Sequence, residues 1–275
     1  MAALRLRLVA ALLLGLWYLP AEASPPTPRT ILNCVPKIKQ SPITQGLAFA
    51  WVSAAGLQYD FVNGVRGTTA GTSISSGPYG SMTTMNGTDA PRFTEGSARF
   101  SSSTPANGQG DLTMMVLANP AASANNSRLF VQSNNNLNFN TPEVSLSANN
   151  AQGLGPTSGY FSFVVYDGVT AGGADSNGAT FVDGNFHLFG GIRSGGNPTV
   201  QFDGADATNA TFTPANVDVR NNYIGVGTYG VTGETPLSAS NASFVFAAMW
   251  NRALSISEVM YMYLNTTYGL FTCAR

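Results

Sequence analysis

The sequence predicts an all-β protein: a two-sheet antiparallel sandwich with one short C-terminal amphipathic helix. From Gly46 onward, short apolar runs alternate with clusters of Gly, Asn, Ser, Thr and Pro, the punctuation expected of many short strands. Hydrophobic residues make up 44% of the chain and charged residues 10%, which supplies a core and does not suit a disordered chain. The one strong helical pattern comes last, after Trp250.

The chain opens with Arg5 and Arg7, an unbroken apolar run of 12 residues over Leu8–Leu19, Pro20, and Ala21-Glu22-Ala23 before Ser24. A basic start, a short apolar run and a small–x–small site are the parts of a secretory signal peptide, here 1–23, and the run is short of the roughly 20 residues of a membrane span. An uncleaved anchor is the alternative. Cleavage near Ala23 would leave a secreted, extracytoplasmic chain with no membrane span. Residues 24–45 are Pro-rich and read as an irregular lead-in to a single domain over 46–273.

The expected strands are Leu47–Trp51, Gly80–Asn86, Asp111–Ala118, Arg128–Gln132, Val144–Ser147, Tyr160–Asp167, Asn185–Arg193, Thr199–Asp203, Asn222–Gly227 and Ser243–Trp250. Asn-Gly at 63–64 and 86–87, Gly-Gly at 195–196, and Asp-Gly at 183–184 and 203–204 supply turns between them. In Phe244–Trp250 both alternating sets, Phe244/Phe246/Ala248/Trp250 and Val245/Ala247/Met249, are apolar, the pattern of a central strand covered on both faces. Only Val200 and Phe202 are apolar in Thr199–Asp203, so that strand is expected to wet one face. Ser255-Ile-Ser-Glu258 is a capping box, and Ile256, Val259, Met260, Tyr263 and Leu264 then form one apolar stripe that should dock on the sheets.

The 13 Lys+Arg are scattered against 14 Asp+Glu, for a net charge of −1; a nucleic-acid partner would need a basic patch. The two cysteines, Cys34 and Cys273, sit at the ends of the exported part. In an oxidising compartment that placement suggests a disulfide, with two unpaired thiols as the alternative.

The stretch Phe244–Phe271, with the turn Trp250-Asn251-Arg252-Ala253-Leu254-Ser255, resembles the closing signature of laminin G-like domains of the concanavalin A-like lectin/glucanase superfamily. Further likenesses follow in order: Gly46–Trp51 with Tyr59-Asp60, Gly77–Gly80 leading to Met85–Asp89, Asp111–Ala118 closed by Asn119-Pro120, Phe186–Arg193 with Val200–Gly204, and Ile224–Gly227. Phe186 stands where the pattern has Trp, one His of two remains, and Val169–Gly184 is an insertion. The resemblance implies a jelly-roll sandwich whose first and last strands are neighbours, which would favour a Cys34–Cys273 bridge.

Catalysis by the carboxylate pair of that superfamily's glucanases is not expected. The exported part has only Glu95, Glu143, Glu234 and Glu258, none with a second acid at the motif's spacing. His187 is the sole His and reads as a strand residue without a nucleophile motif. One His and two Cys do not make a zinc site. Relatives bind calcium through loop oxygens, which makes Asp175, Asn177 and Asp183 candidate Ca2+ ligands, with Asp89 a further one; a solvated turn-rich loop is the alternative, because the spacing matches no known calcium loop. For sugars, Trp51 and Trp250 lie on core strands, so the candidate stacking platforms are the loop tyrosines Tyr79 and Tyr229, the latter near Asn221 and Asn222. The sequons at Asn86, Asn125, Asn209, Asn241 and Asn265 matter only in a eukaryotic source. The expected function is a non-catalytic binding module for glycans. The alternative is a structural or adhesive surface or particle protein making protein contacts, and a hydrolase with an atypical site ranks last.

Overall fold

The computed structural model describes residues 36–53, 58–67, 72–86, 92–93, 110–121, 127–134, 143–148, 161–166, 171–176, 181–212, 222–232, 235–239 and 241–273. The expected signal peptide, Cys34, Asp89, Asn177 and Asn221 lie outside these residues. The strands are β1 Pro36–Ile38, β2 Leu47–Val52, β3 Tyr59–Asp60, β4 Val65–Arg66, β5 Ser73–Gly77, β6 Gly80–Asn86, β7 Arg92–Phe93, β8 Leu112–Pro120, β9 Ser127–Asn134, β10 Glu143–Ala148, β11 Phe161–Tyr166, β12 Ala171–Ser176, β13 His187–Ser194, β14 Asn197–Phe202, β15 Ala205–Asp206, β16 Thr208–Phe212, β17 Asn222–Val226, β18 Thr228–Thr232, β19 Thr235–Ala239, β20 Asn241–Trp250 and β21 Phe271–Cys273. Helices α1, Ile256–Asn265, and α2, Thr267–Leu270, lie between β20 and β21. All ten expected strands are present, with ends shifted by a few residues.

Two antiparallel sheets make the sandwich. The eight-stranded one runs β15-β14-β13-β8-β20-β6-β5, with β2 also on β20; the seven-stranded one runs β16-β12-β11-β10-β9-β17-β7. The expected first strand, β2, and the expected last strand, β20, do pair, Leu47 opposite Trp250. Between the sheets lie Phe49, Trp51, Met114, Val116, Phe130, Leu146, Phe161, Phe163, Phe189, Phe244 and Met249, all fully buried.

A second apolar core covers the far face of the eight-stranded sheet. Ala50, Val52, Met115, Leu117, Phe246, Ala248 and Trp250 pack there against Ile43, Leu254, Val259, Met262, Leu270 and Phe271. The both-faces-apolar pattern of β20 is thus explained by three layers. A bulge between Phe244 and Phe246 corrects the phase: Phe244 belongs with Ala247 and Met249 toward the sandwich interior, while Val245 and Phe246 both face the outer core. One extra residue changes which side every following residue occupies.

The Trp250–Ser255 motif anchors this third layer. Trp250 Nε1 donates to the Ile43 carbonyl at 2.7 Å, and Arg252 Nε donates to the Gln45 carbonyl at 2.7 Å. Arg252 also grips Glu258 with both terminal nitrogens, at 2.7 and 3.1 Å, while Ser255 and Glu258 form the expected capping box. Thr113 Oγ1 donates to the Arg252 carbonyl and accepts from the Leu254 amide. These anchors fix the rotation of α1, and the expected stripe is corrected accordingly: Val259 and Met262 are buried, whereas Ile256 (55%), Met260 (39%) and Leu264 (47%) are exposed.

Three further differences have plain causes. The insertion contains a full strand, β12, whose sequence AGGADS has low strand propensity but pairs β11 and β16 on both edges; tertiary pairing overrides propensity. Gln201 on β14 is 4% exposed rather than wet. Part of the lead-in is ordered, since Pro36–Ile38 pairs with Phe271–Cys273 and sets Pro36 opposite Cys273.

Candidate functional site

Five chain segments meet at one corner of the eight-stranded sheet. Asp203 and Gly204 form the two-residue turn between β14 and β15, with φ of 49° and 86°, the paired positive values of a type I′ hairpin turn. The short Asp side chain makes this conformation tolerable by bonding locally. Its Oδ1 accepts from the Leu188 amide at 2.8 Å, and its Oδ2 meets His187 Nδ1 at 2.7 Å. The other ring nitrogen, Nε2, meets Asp183 Oδ1 at 3.1 Å.

Asp183 is held in turn. The Asn185 amide donates to its Oδ1 and Asn185 Nδ2 to its Oδ2, both at 2.8 Å, while Asn119 Nδ2 ties the Gly184 carbonyl at 2.7 Å. The His187 ring stacks on Phe202 with centroids 4.7 Å apart. Next to it, Phe186 meets Tyr79 edge-on at 5.5 Å. Tyr79 is half-buried at the turn from β5 to β6. From α1, Tyr263 and Met260 close over Gly204, where a Cβ would sit 3.0 Å from Tyr263 Cβ and 3.1 Å from Met260 Sδ.

The electrostatics follow from this packing. Burial works against a proton on His187, but the hydrogen bonds and charges of Asp203, then Asp183, outweigh it and raise the pKa above its ordinary value. Asp183 is lowered to about 2, chiefly by the Asn185 side-chain hydrogen bond. Burial keeps the phenols of both Tyr79 and Tyr263 protonated to higher pH, reinforced at Tyr79 by Tyr263 and then Asp203 and at Tyr263 by Asp203. The corner therefore offers carboxylate acceptors, phenol donors and aromatic surface, a set suited to a hydroxyl-rich ligand with an apolar face. Both nitrogens of His187 are occupied by carboxylates.

The other predicted residues lie elsewhere. Tyr229 is on β18 opposite Ser238 rather than in a loop, and Asn222 opens β17 opposite Asn134. Asp175 is on β12, in the seven-stranded sheet, in the cross-strand row Arg128–Ser147–Ser162–Asp175. It alternates there with the core residue Ala174, so its carboxyl faces away from the sandwich interior. The four residues of the row are at most 4% exposed, which closes them to solvent. Burial raises the Asp175 pKa, and among the described residues its Oδ2 has no hydrogen-bond partner. Asp175 and Asp183 thus do not share a loop, because Asp175 is on a strand of the seven-stranded sheet and Asp183 precedes a strand of the eight-stranded one. Among the described residues, no three His, Cys, Asp or Glu side chains converge as metal ligands, and no helix is long and apolar enough to cross a membrane.

Asp203 and Tyr263 were not singled out as site residues, and His187 was read as a structural strand residue. The Asp203-Gly204 turn signal was visible, but its distance of 16 residues from His187 is closed only by the β13–β14 hairpin.

No protein-family model matches the chain, and no curated protein does. Solved structures do resemble it in fold. Domain 4 of AbnA, a GH43 extracellular arabinanase from Geobacillus stearothermophilus, solved with arabinotriose, has a TM-score of 0.54 at 14% identity over 79% of this chain and 98% of its own. The binding domain of botulinum neurotoxin DC, in complex with SialylT, has a TM-score of 0.56 at 8% identity over 82% of this chain and 53% of its own. Trypanosoma rangeli sialidase, with 2,3-difluorosialic acid as covalent intermediate, has a TM-score of 0.56 at 13% identity over 82% of this chain and 34% of its own. The chain therefore spans about a third to a half of the last two. At these identities the likeness establishes a shared antiparallel β-sandwich.

Proposed function

We propose that the chain is an exported, non-catalytic glycan-binding module of the laminin G-like, concanavalin A-like class, taking its sugar at the Tyr79–His187–Asp203 corner. The observation that carries this reading is the half-buried Tyr79 ring, edge-on to Phe186 and within electrostatic reach of the Asp203 carboxylate. Solved relatives in fold include domains held with arabinotriose and with SialylT. The test is a glycan array with and without calcium, repeated with Tyr79→Ala. Saturable binding lost in the variant supports the reading; binding that Tyr79→Ala leaves intact sinks the site. Hydrolysis of any polysaccharide by the pure chain would sink the non-catalytic part.

Export goes with a Cys34–Cys273 bridge in the same proposal, since β1 brings the backbone within two residues of Cys34 alongside Cys273, and among the described residues no cysteine is free. Non-reducing mass spectrometry of tryptic peptides tests it. A protein-contacting role is the second reading. The exposed apolar row Ile256, Met260 and Leu264 on α1 favours it, and an array without hits would bring it forward.

A further inference from the structure

A neutral imidazole carries one N–H; an imidazolium carries two. His187 has a carboxylate at each ring nitrogen, Asp203 Oδ2 at 2.7 Å and Asp183 Oδ1 at 3.1 Å, so only the protonated ring donates to both. The geometry points to His187 as a pH-operated latch: as imidazolium it pins the Asp183–Phe186 loop to the end of β13, and on losing its proton it lets the loop go. The two contacts are not equal. Asp203 is fixed by its turn and by the Leu188 amide, whereas Asp183 has 39% of its side chain exposed against 25% for Asp203. Water can replace the ring at Asp183, so Nδ1 keeps the last proton and the Nε2–Asp183 contact is the one that opens.

Among the described residues, the surroundings of the ring leave no other switch. From β8 it faces Ala118, its register partner, and from β14 the uncharged Phe202. The charged groups against it are Asp203 from the β14–β15 turn and Asp183 from the preceding loop. Tyr79 and Tyr263, which feel the charge on Asp203, titrate well above His187. Both carboxylates favour the proton while burial opposes it. The latch therefore holds fully below the unfolded value of about 6.5 and is lost as pH rises through the higher folded value. Phe186 lies in the released loop with its ring edge against Tyr79, so the state of the latch reaches the candidate site.

His187 is the sole histidine, so the untagged chain gives one set of imidazole resonances. Long-range proton–nitrogen NMR across the pH range should show an imidazolium whose midpoint lies above about 6.5. Amide exchange at Gly184, Asn185 and Phe186, corrected for intrinsic rates, should quicken through the same midpoint. Asp183→Asn should lower the midpoint by about one unit or more, and His187→Gln should remove the pH step in loop exchange while the core strands stay protected. A midpoint at or below the ordinary value, or loop protection that is flat through the titration, would overturn the inference. None of these readouts needs a ligand, so a failed glycan array leaves the latch standing and a failed latch leaves the array result standing.

Discussion

At Gly191 on β13 the two sheets approach too closely to admit a side chain. This residue faces the interior in register with Met114 and Val200. A Cβ built there would lie 2.8 Å from Leu146 Cδ2 and closer still to the Phe163 ring, against the 3.5–4.0 Å of an ordinary carbon contact. Leu146 and Phe163 are fully buried on the opposite sheet, so neither can swing into solvent. Overpacking of this kind costs about 1–3 kcal/mol. Ala regains about 0.5–1 kcal/mol over Gly in a strand, which leaves a net loss of about 2 kcal/mol for Gly191→Ala at the upper end of the range. Urea unfolding should show a lower midpoint with an unchanged slope. Phe163→Leu added to Gly191→Ala should recover part of the loss, with a coupling of about 1 kcal/mol. Gly190→Ala is the internal control, because its Cβ would point to the other face, where its three nearest neighbours are all atoms of Gln201, the closest being Cβ at 3.1 Å. A loss at Gly191 under about 0.5 kcal/mol, or no greater than at Gly190, would refute the close approach of the sheets.

Other outcomes follow from the anchors. The Glu258 carboxyl is lowered from 4.5 to about 2, mainly by its Arg252 hydrogen bonds, so its stabilisation is present above about 4.5 and fades as pH falls toward 2; Glu258→Gln should cost about 1 kcal/mol near neutral pH after allowance for solvent screening and flatten the acid limb of a stability–pH curve, and an equal loss at about pH 3 would count against it. Trp250→Phe strands the Ile43 carbonyl and trims a fully buried ring, for an expected loss of about 2–3 kcal/mol by urea unfolding. Asp203→Ala should lower stability by about 2–3 kcal/mol, since the Cβ-bearing backbone stays at φ 49° while the Leu188 and His187 bonds that offset the strain are lost; Asp203→Asn, which can keep the turn, should cost less.

The sandwich was legible because its signals are local. Period-two apolar runs, Gly-Gly and Asp-Gly turns, and the Ser255–Glu258 cap each depend on residues within a few positions of one another, and all were read in place. Strand β12 was missed because two glycines and an aspartate carry no local strand preference; its neighbours on both edges make it a strand. The helix was found, and Val259 and Tyr263 of its expected stripe do face the outer core. Ile256, Met260 and Leu264, however, are exposed and Met262 takes the buried place, since both sets are consistent with a helical period. Only the Arg252 and Thr113 anchors choose between them.

Tyr79 and Asp183 were singled out for different chemistries, and neither for its neighbour. Their meeting around His187 and Asp203 joins the β5–β6 turn, the loop before β13 and the β14–β15 turn, contacts between residues far apart in the chain that no spacing encodes. By itself, then, the sequence determined the class of fold, the turns and the cap, because short-range sterics and hydrogen bonds decide those. The third layer, the bulged phase of β20 and the assembly of the Tyr79–His187 corner were decided by tertiary packing, because they depend on which distant side chains compete for the same buried surface.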